Sequence, residues 1–170
     1  MSWLNSVIAA FIPYLPKWFA RPFAKPYVAG ETIDSTLEIV RGLNNNGYST
    51  TLDILGEFVH SKEEATNIKD AYIEVIQKIA DENLDSTISV KLTHLGIEID
   101  MQLGEDNILT LAHEGKKNGV GITIDMENST YTSQTFDIYK KAFSIYEGMG
   151  TVSQAYLFRS LDDIKKMNSP

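Results

Sequence analysis

The chain has 170 residues, of which 43% are hydrophobic and 22% are charged, a balance typical of one globular domain with an ordinary core. Its formal net charge is −8, and this argues against a nucleic-acid partner, because a nucleic-acid-binding surface needs clustered lysine and arginine to neutralise phosphates. The absence of cysteine excludes disulfides, a thiolate nucleophile and a zinc–thiolate site, and it suits a reducing compartment such as the cytoplasm.

The first 26 residues are expected to form an N-terminal helical arm ahead of the domain. Pro13 and Pro16 interrupt its apolar run well before the ~20 residues that a membrane-spanning helix needs. The first basic residue, Lys17, follows the run, whereas a signal peptide places it before. Two uses remain open: the arm packs across the domain, which we favour, or its aromatic residues lie on a membrane surface. We therefore expect a cytoplasmic protein whose membrane contact, where it occurs, is peripheral.

Residues 27–170 are predicted to form the folded domain, beginning with a helix from Thr32 to Leu43 that ends at the turn-forming "NNNG" of residues 44–47. The apolar side of this helix is expected to hold Ile33, Leu37, Val40 and Leu43. Later helix starts are predicted from a capping-box pattern at Ser61 and Glu64, and from the serines at 129 and 160.

Four segments rich in β-branched residues are predicted strands: "STTLDILGEF" (49–58), "TISVKLTHLG" (87–96), "VGITIDME" (120–127) and "TVSQAYL" (151–157). They alternate with the helical stretches. This alternation predicts an α/β fold in which parallel strands are joined by right-handed crossovers.

Side chains along a strand point alternately to its two faces, so each predicted strand divides into two sets. One set is aliphatic, and the other contains Asp53, Lys91 and Asp125. In a β/α barrel the aliphatic set meets the helices, and polar groups at the carboxyl ends of the strands form the active site. A lysine between two aspartates suggests mutual neutralisation around a ligand, and we favour this over a buried salt-bridge network without chemistry.

The segments "TLDILGEFV", "ISVKLTHLG", "VGITIDMENSTYT" and "VSQAYL" resemble, in this order and spacing, the flavin-dependent proline dehydrogenases. The resemblance extends over residues 27–170. It implies a partial (β/α)8 TIM-like barrel containing the first four β/α units. It also implies FAD as cofactor, and oxidation of L-proline to Δ1-pyrroline-5-carboxylate by hydride transfer, the first step of proline catabolism. The electron acceptor of such an enzyme is a membrane quinone.

Carried over position by position, the resemblance assigns roles to three charged residues. Lys91 matches a lysine near the substrate carboxylate and the flavin, and is therefore both a substrate-binding and a catalytic candidate. Asp125 matches the strand-end aspartate of the active site. Asp53 matches an acidic residue that pairs with the lysine.

The resemblance also implies two contacts with the flavin. Met126 would lie beside the ring through its backbone, and Gln154 would contact the ring through its side-chain amide. Without the resemblance, Met126 would be interpreted as core filler and Gln154 as a solvated strand residue. Glu127 is expected to fix the loop at the end of its strand.

The resemblance reaches only four of the family's eight strands. The family's segments for the pyrophosphate and adenosine of FAD, and its paired arginines for the proline carboxylate, find no match in this sequence. We therefore expect a fragment, the first half of an enzyme, that is inactive alone. An open four-stranded sheet would leave two unpaired edges and an uncovered inner face, which favours self-association or pairing with a complementing second half.

The same residues are compatible with other functions. Lys91 near Asp125 resembles the arrangement of a Schiff-base aldolase, in which desolvation makes a lysine nucleophilic. A metal hydrolase using His60, His94 and Asp125 is disfavoured because their spacing matches no compact ligand motif, so no metal is expected. His113 is expected at the surface of a helix. A third interpretation is a non-catalytic half-barrel that only associates with itself or with a complementary chain.

Overall fold

The structure is a computed structural model, and it describes residues 28–56 and 58–167. The arm predicted over residues 1–26 lies outside the described residues. Within the described part of the chain, no helix is both long enough and apolar enough to cross a membrane. The described residues up to Ile39 belong to one compact unit, and those from Val40 onward belong to a second unit, which contains the sheet.

The elements follow in the order α1 (Ile33–Asn45), β1 (Thr50–Leu52), α2 (Lys62–Asp81), β2 (Ser86–Val90), α3 (Met101–Asn118), β3 (Ile122–Ile124), α4 (Thr132–Ile145), β4 (Met149–Thr151) and α5 (Ser160–Met167). The four strands form one parallel sheet in the order β1-β2-β3-β4. Each strand is followed by a helix, so the chain contains four consecutive β/α units, as the alternation predicts.

The core lies between the aliphatic face of the sheet and the helices. Ile88 and Val90 of β2 and Ile122 and Ile124 of β3 are all buried, in agreement with the predicted division into faces. α3 contacts both α2 and α4, so the three helices form one layer. Burying an aliphatic side chain of this size contributes roughly 1.5–3 kcal/mol relative to leaving it exposed, so these residues stabilise the fold.

The strands are shorter than predicted, and the first two end where the backbone finds other hydrogen-bonding partners. β1 ends at Leu52, because the N–H of Ile54 donates to the hydroxyl of Tyr72 at 3.2 Å instead of to a neighbouring strand. β2 ends at Val90, because the following residues form a turn that includes the bond from Leu95 N to the carbonyl of Lys91 at 3.2 Å.

The prediction of a strand over residues 151–157 is wrong for most of its length. β4 covers Met149–Thr151, and the chain after it turns into α5. The carbonyl of Gln154 accepts hydrogen bonds from Leu157 N at 3.1 Å and from Ser160 Oγ at 2.5 Å, and these bonds close a turn. Gln154 therefore lies in the β4–α5 loop and not on a strand.

The helix starts agree with the prediction in part. Ser61 caps α2, and its hydroxyl accepts from Glu64 N at 3.1 Å. The Glu64 carboxylate accepts from His60 N at 2.7 Å rather than from Ser61 N, so the capping box closes one residue earlier than expected. α4 begins at Thr132, after a short 3₁₀ helix that starts at the predicted Ser129. In α1, Leu43 was expected on the apolar side but is 41% exposed.

Gly104 allows α3 to approach the β2–α3 loop closely. A Cβ atom at this position would lie 2.9 Å from both the Cα and the backbone nitrogen of Ile97. Backbone atoms cannot move aside as a flexible side chain can, so the helix would have to shift. Gly42 in α1 differs, because a Cβ there would meet nothing within 4 Å.

We predict that Gly104→Ala lowers the free energy of unfolding by ~1–3 kcal/mol, because the overpacking outweighs the helix propensity of alanine. Gly42→Ala is the matched control, and it should raise the free energy of unfolding by up to ~1 kcal/mol, since only propensity changes. Urea denaturation of both variants measures these changes. A stabilised Gly104→Ala variant would contradict the close approach.

His94 is a buried histidine in the β2–α3 loop. It is 6% exposed, its Nδ1 has no hydrogen-bonding partner, and a Cβ on Gly56 would lie 2.7 Å from its Nε2. Burial lowers the pKa of His94 below the ordinary value, and the Lys91 ammonium acts in the same direction. The Asp53 carboxylate opposes this shift. The neutral imidazole is therefore the form that the fold favours.

A pKa that is lower in the folded than in the unfolded state means that the unfolded chain binds more protons as the pH falls below the histidine value near 6.5. His94 should therefore reduce stability below about pH 6.5 and have no effect well above it. We predict that the wild type loses more stability than His94→Gln between about pH 7.5 and about pH 5.5. His113→Gln, a change at an exposed histidine of α3, should keep the wild-type dependence. Equal losses in the wild type and His94→Gln would refute this prediction.

Candidate active site

Lys91 and Asp53 form an ion pair just beyond the carboxyl ends of β2 and β1. Nζ of Lys91 donates to Oδ2 of Asp53 at 2.7 Å, which confirms the predicted pairing of these two residues. The side chains are 18% and 34% exposed, respectively, so the pair is shielded more than an ordinary surface salt bridge. The ammonium is thus fixed near the ends of the central strands.

Asp125 follows β3 and is held by β2 at two points. The hydroxyl of Ser89 donates to Oδ1 of Asp125 at 2.6 Å, and the backbone N–H of Asp125 donates to the carbonyl of Val90 at 2.9 Å. Ser89 is buried, so this contact is protected from water. The hydrogen bond from Ser89 therefore gives the carboxylate a defined orientation. Ser89 binds Oδ1 and does not bind Oδ2.

Glu127 has a structural role, as predicted. Its carboxylate accepts from the backbone N–H of Thr93 at 3.0 Å and also from the Thr93 hydroxyl. Thr93 is buried at the start of the β2–α3 loop. Two hydrogen bonds to one residue tie the loop after β3 to the loop after β2, so Glu127 fixes the strand-end loop.

A cavity of about 430 Å³ opens at this end of the sheet, and its size lies within the usual range for small-molecule sites. Its lining consists of Phe58, Lys91, Asp125, Met126, Glu127, Asn128 and Val152. The apolar members suit the face of a flat ring, while the lysine and the aspartate can bind groups of opposite charge. The lining therefore suits a flat ring such as that of a flavin and small charged groups.

The predicted site residues do not all occupy the same position relative to this cavity. Lys91, Asp125 and Met126 line it, whereas Asp53 lies behind Lys91 as its ionic partner. Gln154 is not among the lining residues, and its amide donates to the backbone carbonyl of Glu127 at 3.4 Å, a long hydrogen bond.

Two residues that contact the site were not assigned by sequence reasoning. Tyr72 of α2 is 1% exposed, and its hydroxyl donates to Oδ1 of Asp53 at 3.0 Å. A tyrosine on the apolar side of a helix looks like core, and periodicity does not reveal its hydroxyl partner. Ser89 precedes Lys91 by two residues and so shares its predicted face, but a strand pattern does not show which group the Ser89 hydroxyl binds.

The geometry bears on the alternative functions. Within the described residues, no group of three or more histidine, aspartate or glutamate side chains could hold a metal ion. An aldolase requires a nucleophilic lysine, whereas Lys91 is engaged with the Asp53 carboxylate at 2.7 Å. His113 is exposed, as expected.

Comparisons with known proteins point to one family. The family model for proline dehydrogenase matches residues 36–169. Proline dehydrogenase 1 of Bacillus subtilis subsp. natto is 40% identical over 144 residues, which are 85% of this chain and 48% of that protein. Proline dehydrogenase 2 of Bacillus subtilis strain 168 is 39% identical over 152 residues, which are 89% of this chain and 50% of that protein. The chain spans about half the length of these relatives.

A solved structure supports the fold. The crystal structure of proline utilization A (PutA) from Bdellovibrio bacteriovorus, inactivated by N-propargylglycine, superposes with a TM-score of 0.77 over 89% of this chain and 19% of that chain. Its sequence identity of 22% makes this a likeness of fold alone. The four β/α units and their parallel sheet thus form a partial TIM-like barrel, as predicted. Because the family model also matches most of its length, the chain belongs to the proline dehydrogenase family.

Proposed function

We propose that this chain contributes the substrate end of the active site to a proline dehydrogenase, which oxidises L-proline to Δ1-pyrroline-5-carboxylate with FAD as the first step of proline catabolism. One observation carries the proposal. In a member of this family, Lys91, Asp125 and Met126 line a single cavity at the carboxyl ends of the strands. Active sites of β/α barrels lie at this end of the sheet.

In this proposal, Lys91 and Asp125 bind the two charged groups of proline. The ammonium of Lys91 binds the substrate carboxylate. An ammonium carries three donors, so its bond to Asp53 does not exclude this second partner. Asp125 accepts a hydrogen bond from the substrate nitrogen next to the reacting carbon, and Ser89 holds its carboxylate in the orientation needed for that contact.

Two further residues are proposed to contact FAD. When bound, FAD supplies the redox chemistry, in which a hydride leaves C5 of proline. Met126 lines the cavity and offers its backbone beside the ring, next to the apolar side chains of Phe58 and Val152. Gln154 offers its amide, and because its present hydrogen bond to the carbonyl of Glu127 is long, the amide can exchange that partner at little cost.

The proposal extends to partners and location. A membrane quinone accepts the electrons, and the protein is cytoplasmic and meets that membrane peripherally. Because a quinone acceptor requires a membrane contact, the proposal assigns the aromatic residues of the N-terminal segment to that contact rather than to packing across the domain, the use that the sequence alone favoured. Among the described strands, β1 and β4 each pair along one edge only, which favours association with a second copy or a complementing half. Exposed apolar residues that follow these two strands in sequence, including Leu55 and Phe158, support such an association.

The function is tested best in a chimera in which residues 36–169 replace the matching segment of Bacillus subtilis proline dehydrogenase 1. The purified chimera, supplied with FAD, should reduce a quinone analogue only when proline is present. A chimera that melts cooperatively and retains FAD, but gives no proline-dependent reduction, would contradict the proposal.

Variants of the chimera separate binding from chemistry. We predict that Lys91→Met raises the KM for proline, whereas Asp125→Ala lowers kcat, with a loss of ~2–4 kcal/mol of transition-state stabilisation. A purely structural role predicts a different result: Lys91→Met would leave the Asp53 carboxylate without its ionic partner, and Asp125→Ala would remove the hydrogen bond from Ser89, so either change would lower stability while turnover per folded molecule stayed normal. Thermal melts measured beside steady-state kinetics distinguish the two cases. Early melting with normal turnover per folded molecule would refute the assigned roles.

The proposed membrane contact has its own test. We predict that the full chain cosediments with anionic lipid vesicles and that deletion of residues 1–26 reduces the bound fraction several-fold, because the deletion removes aromatic and basic residues together. A matched control replaces Lys17, Arg21 and Lys25 with glutamine, which leaves the aromatic residues in place. Equal sedimentation of the full and the deleted chain would exclude this contact.

A further inference from the structure

We propose that Tyr72 is a positioning residue of the active site: its hydroxyl fixes the Asp53 carboxylate and, through that carboxylate, the ammonium of Lys91. Both oxygens of the Asp53 carboxylate accept hydrogen bonds. Tyr72 donates to Oδ1 at 3.0 Å and Lys91 donates to Oδ2 at 2.7 Å. Asp53 therefore cannot rotate about its last side-chain bond without breaking at least one of these hydrogen bonds.

The direction of the Tyr72 hydrogen bond is set by its second partner. The backbone N–H of Ile54 points to the phenol oxygen at 3.2 Å, and an N–H can only donate. The phenol proton is consequently left for the carboxylate, which can only accept. Burial, followed by the charge of Asp53, raises the pKa of Tyr72, so the proton stays on the phenol throughout the neutral range.

Tyr72 is held rigidly because it lies in a long helix. It belongs to α2, a helix of 20 residues, and it is 1% exposed, so packing holds its ring in place. Asp53 and Ile54, in contrast, lie just after β1, where the regular ladder has ended. The hydroxyl thus connects a segment without strand partners to the helical layer. A phenylalanine would fill the same space but would provide neither hydrogen bond.

Restraint of the Lys91 side chain affects substrate binding. Its side chain has four rotatable bonds, and an unrestrained ammonium would sample many positions in the cavity. A carboxylate that is itself fixed limits the ammonium to one position. Tyr72 would therefore favour binding of the proline carboxylate without touching the substrate, and this consequence rests on the proposed function. The restraint on Lys91 does not rest on the proposed function, so it can be measured without an assay of enzymatic activity.

The test measures the reactivity of Lys91 in the full chain. The chain is treated with a limiting amount of an amine-acylating reagent, and labelling of Lys91 is compared by peptide mass spectrometry with that of Lys116, an exposed lysine of α3. Tyr72→Phe should raise the labelling ratio roughly fivefold, the factor that corresponds to about 1 kcal/mol of hydrogen-bond free energy. Tyr139→Phe on α4 removes the same atom far from the pair in sequence and should leave the ratio unchanged.

A double-mutant cycle shows whether Tyr72 acts through Asp53. Asp53→Asn alone should raise the Lys91 labelling ratio, and adding Tyr72→Phe should give no further increase, because the intermediary is already lost. An equal second increase would overturn the inference, as would an unchanged ratio in either single variant. A general rise in the labelling of all lysines would indicate loss of structure and would also overturn it.

Kinetics of the chimera separate this inference from the proposed function. Tyr72→Phe should raise the KM for proline by less than Lys91→Met does, and kcat should change little. If the chimera is inactive but the labelling cycle behaves as expected, the positioning role stands and the proposed function fails. If the chimera is active and Tyr72→Phe changes neither the labelling ratio nor the KM, the positioning role is refuted.

Discussion

Three alternate side chains on and just beyond β2 hold the carboxylates that follow the two neighbouring strands. Ser89 binds Asp125, Lys91 binds Asp53, and Thr93 binds Glu127. Ser89 lies on β2, and Lys91 and Thr93 follow it in the β2–α3 loop. The parallel register places the ends of β1 and β3 beside the end of β2, within reach of these side chains. Both the cavity and its charge distribution depend on this set of contacts.

These contacts also explain how charged groups are tolerated at the edge of an apolar core. The opposite face of β2 and β3 is mostly aliphatic, through Ile88, Val90, Ile122 and Ile124, and packs against the helices. A carboxylate near such a core is costly unless hydrogen bonds compensate for lost water. Each of the three carboxylates meets a donor from β2 or from the loop after it, and one donor is a full positive charge. The site is therefore polar and ordered at the same time.

The sequence was sufficient for the face pattern but not for the ends of the strands. Alternation of Ile88, Ser89 and Val90 reveals which side chains share a face, because the period of a strand is two. Strand ends depend on partners that are distant in sequence. β1 stops where Ile54 N meets the hydroxyl of Tyr72, and nothing in the local pattern indicates that contact. The same reason explains why Tyr72 was not recognised as part of the site.

Loop positions were the hardest to predict. Gln154 was expected on a strand, yet its carbonyl closes a turn that leads into α5. Leu55, also expected on a strand, is 84% exposed. The pairing of Asp53 with Lys91 came from family resemblance together with the face pattern, and the structure agrees with it. Backbone periodicity therefore predicts which residues face inward, while the partner of each one requires the three-dimensional arrangement.

The order of the strands has a consequence for how the chain acquires its structure during synthesis. Each strand pairs with the strand that precedes it: Ser86 of β2 aligns with Thr50 of β1, Ile122 of β3 aligns with Ile88 of β2, and Met149 of β4 aligns with Ile122 of β3. When a new strand emerges from the ribosome, the strand with which it pairs has therefore already been synthesised. The sheet of described strands can grow in one direction, one β/α unit at a time, and none of the three pairings between them has to wait for a distant segment. Until a further strand arrives, the most recently added strand is the growing edge.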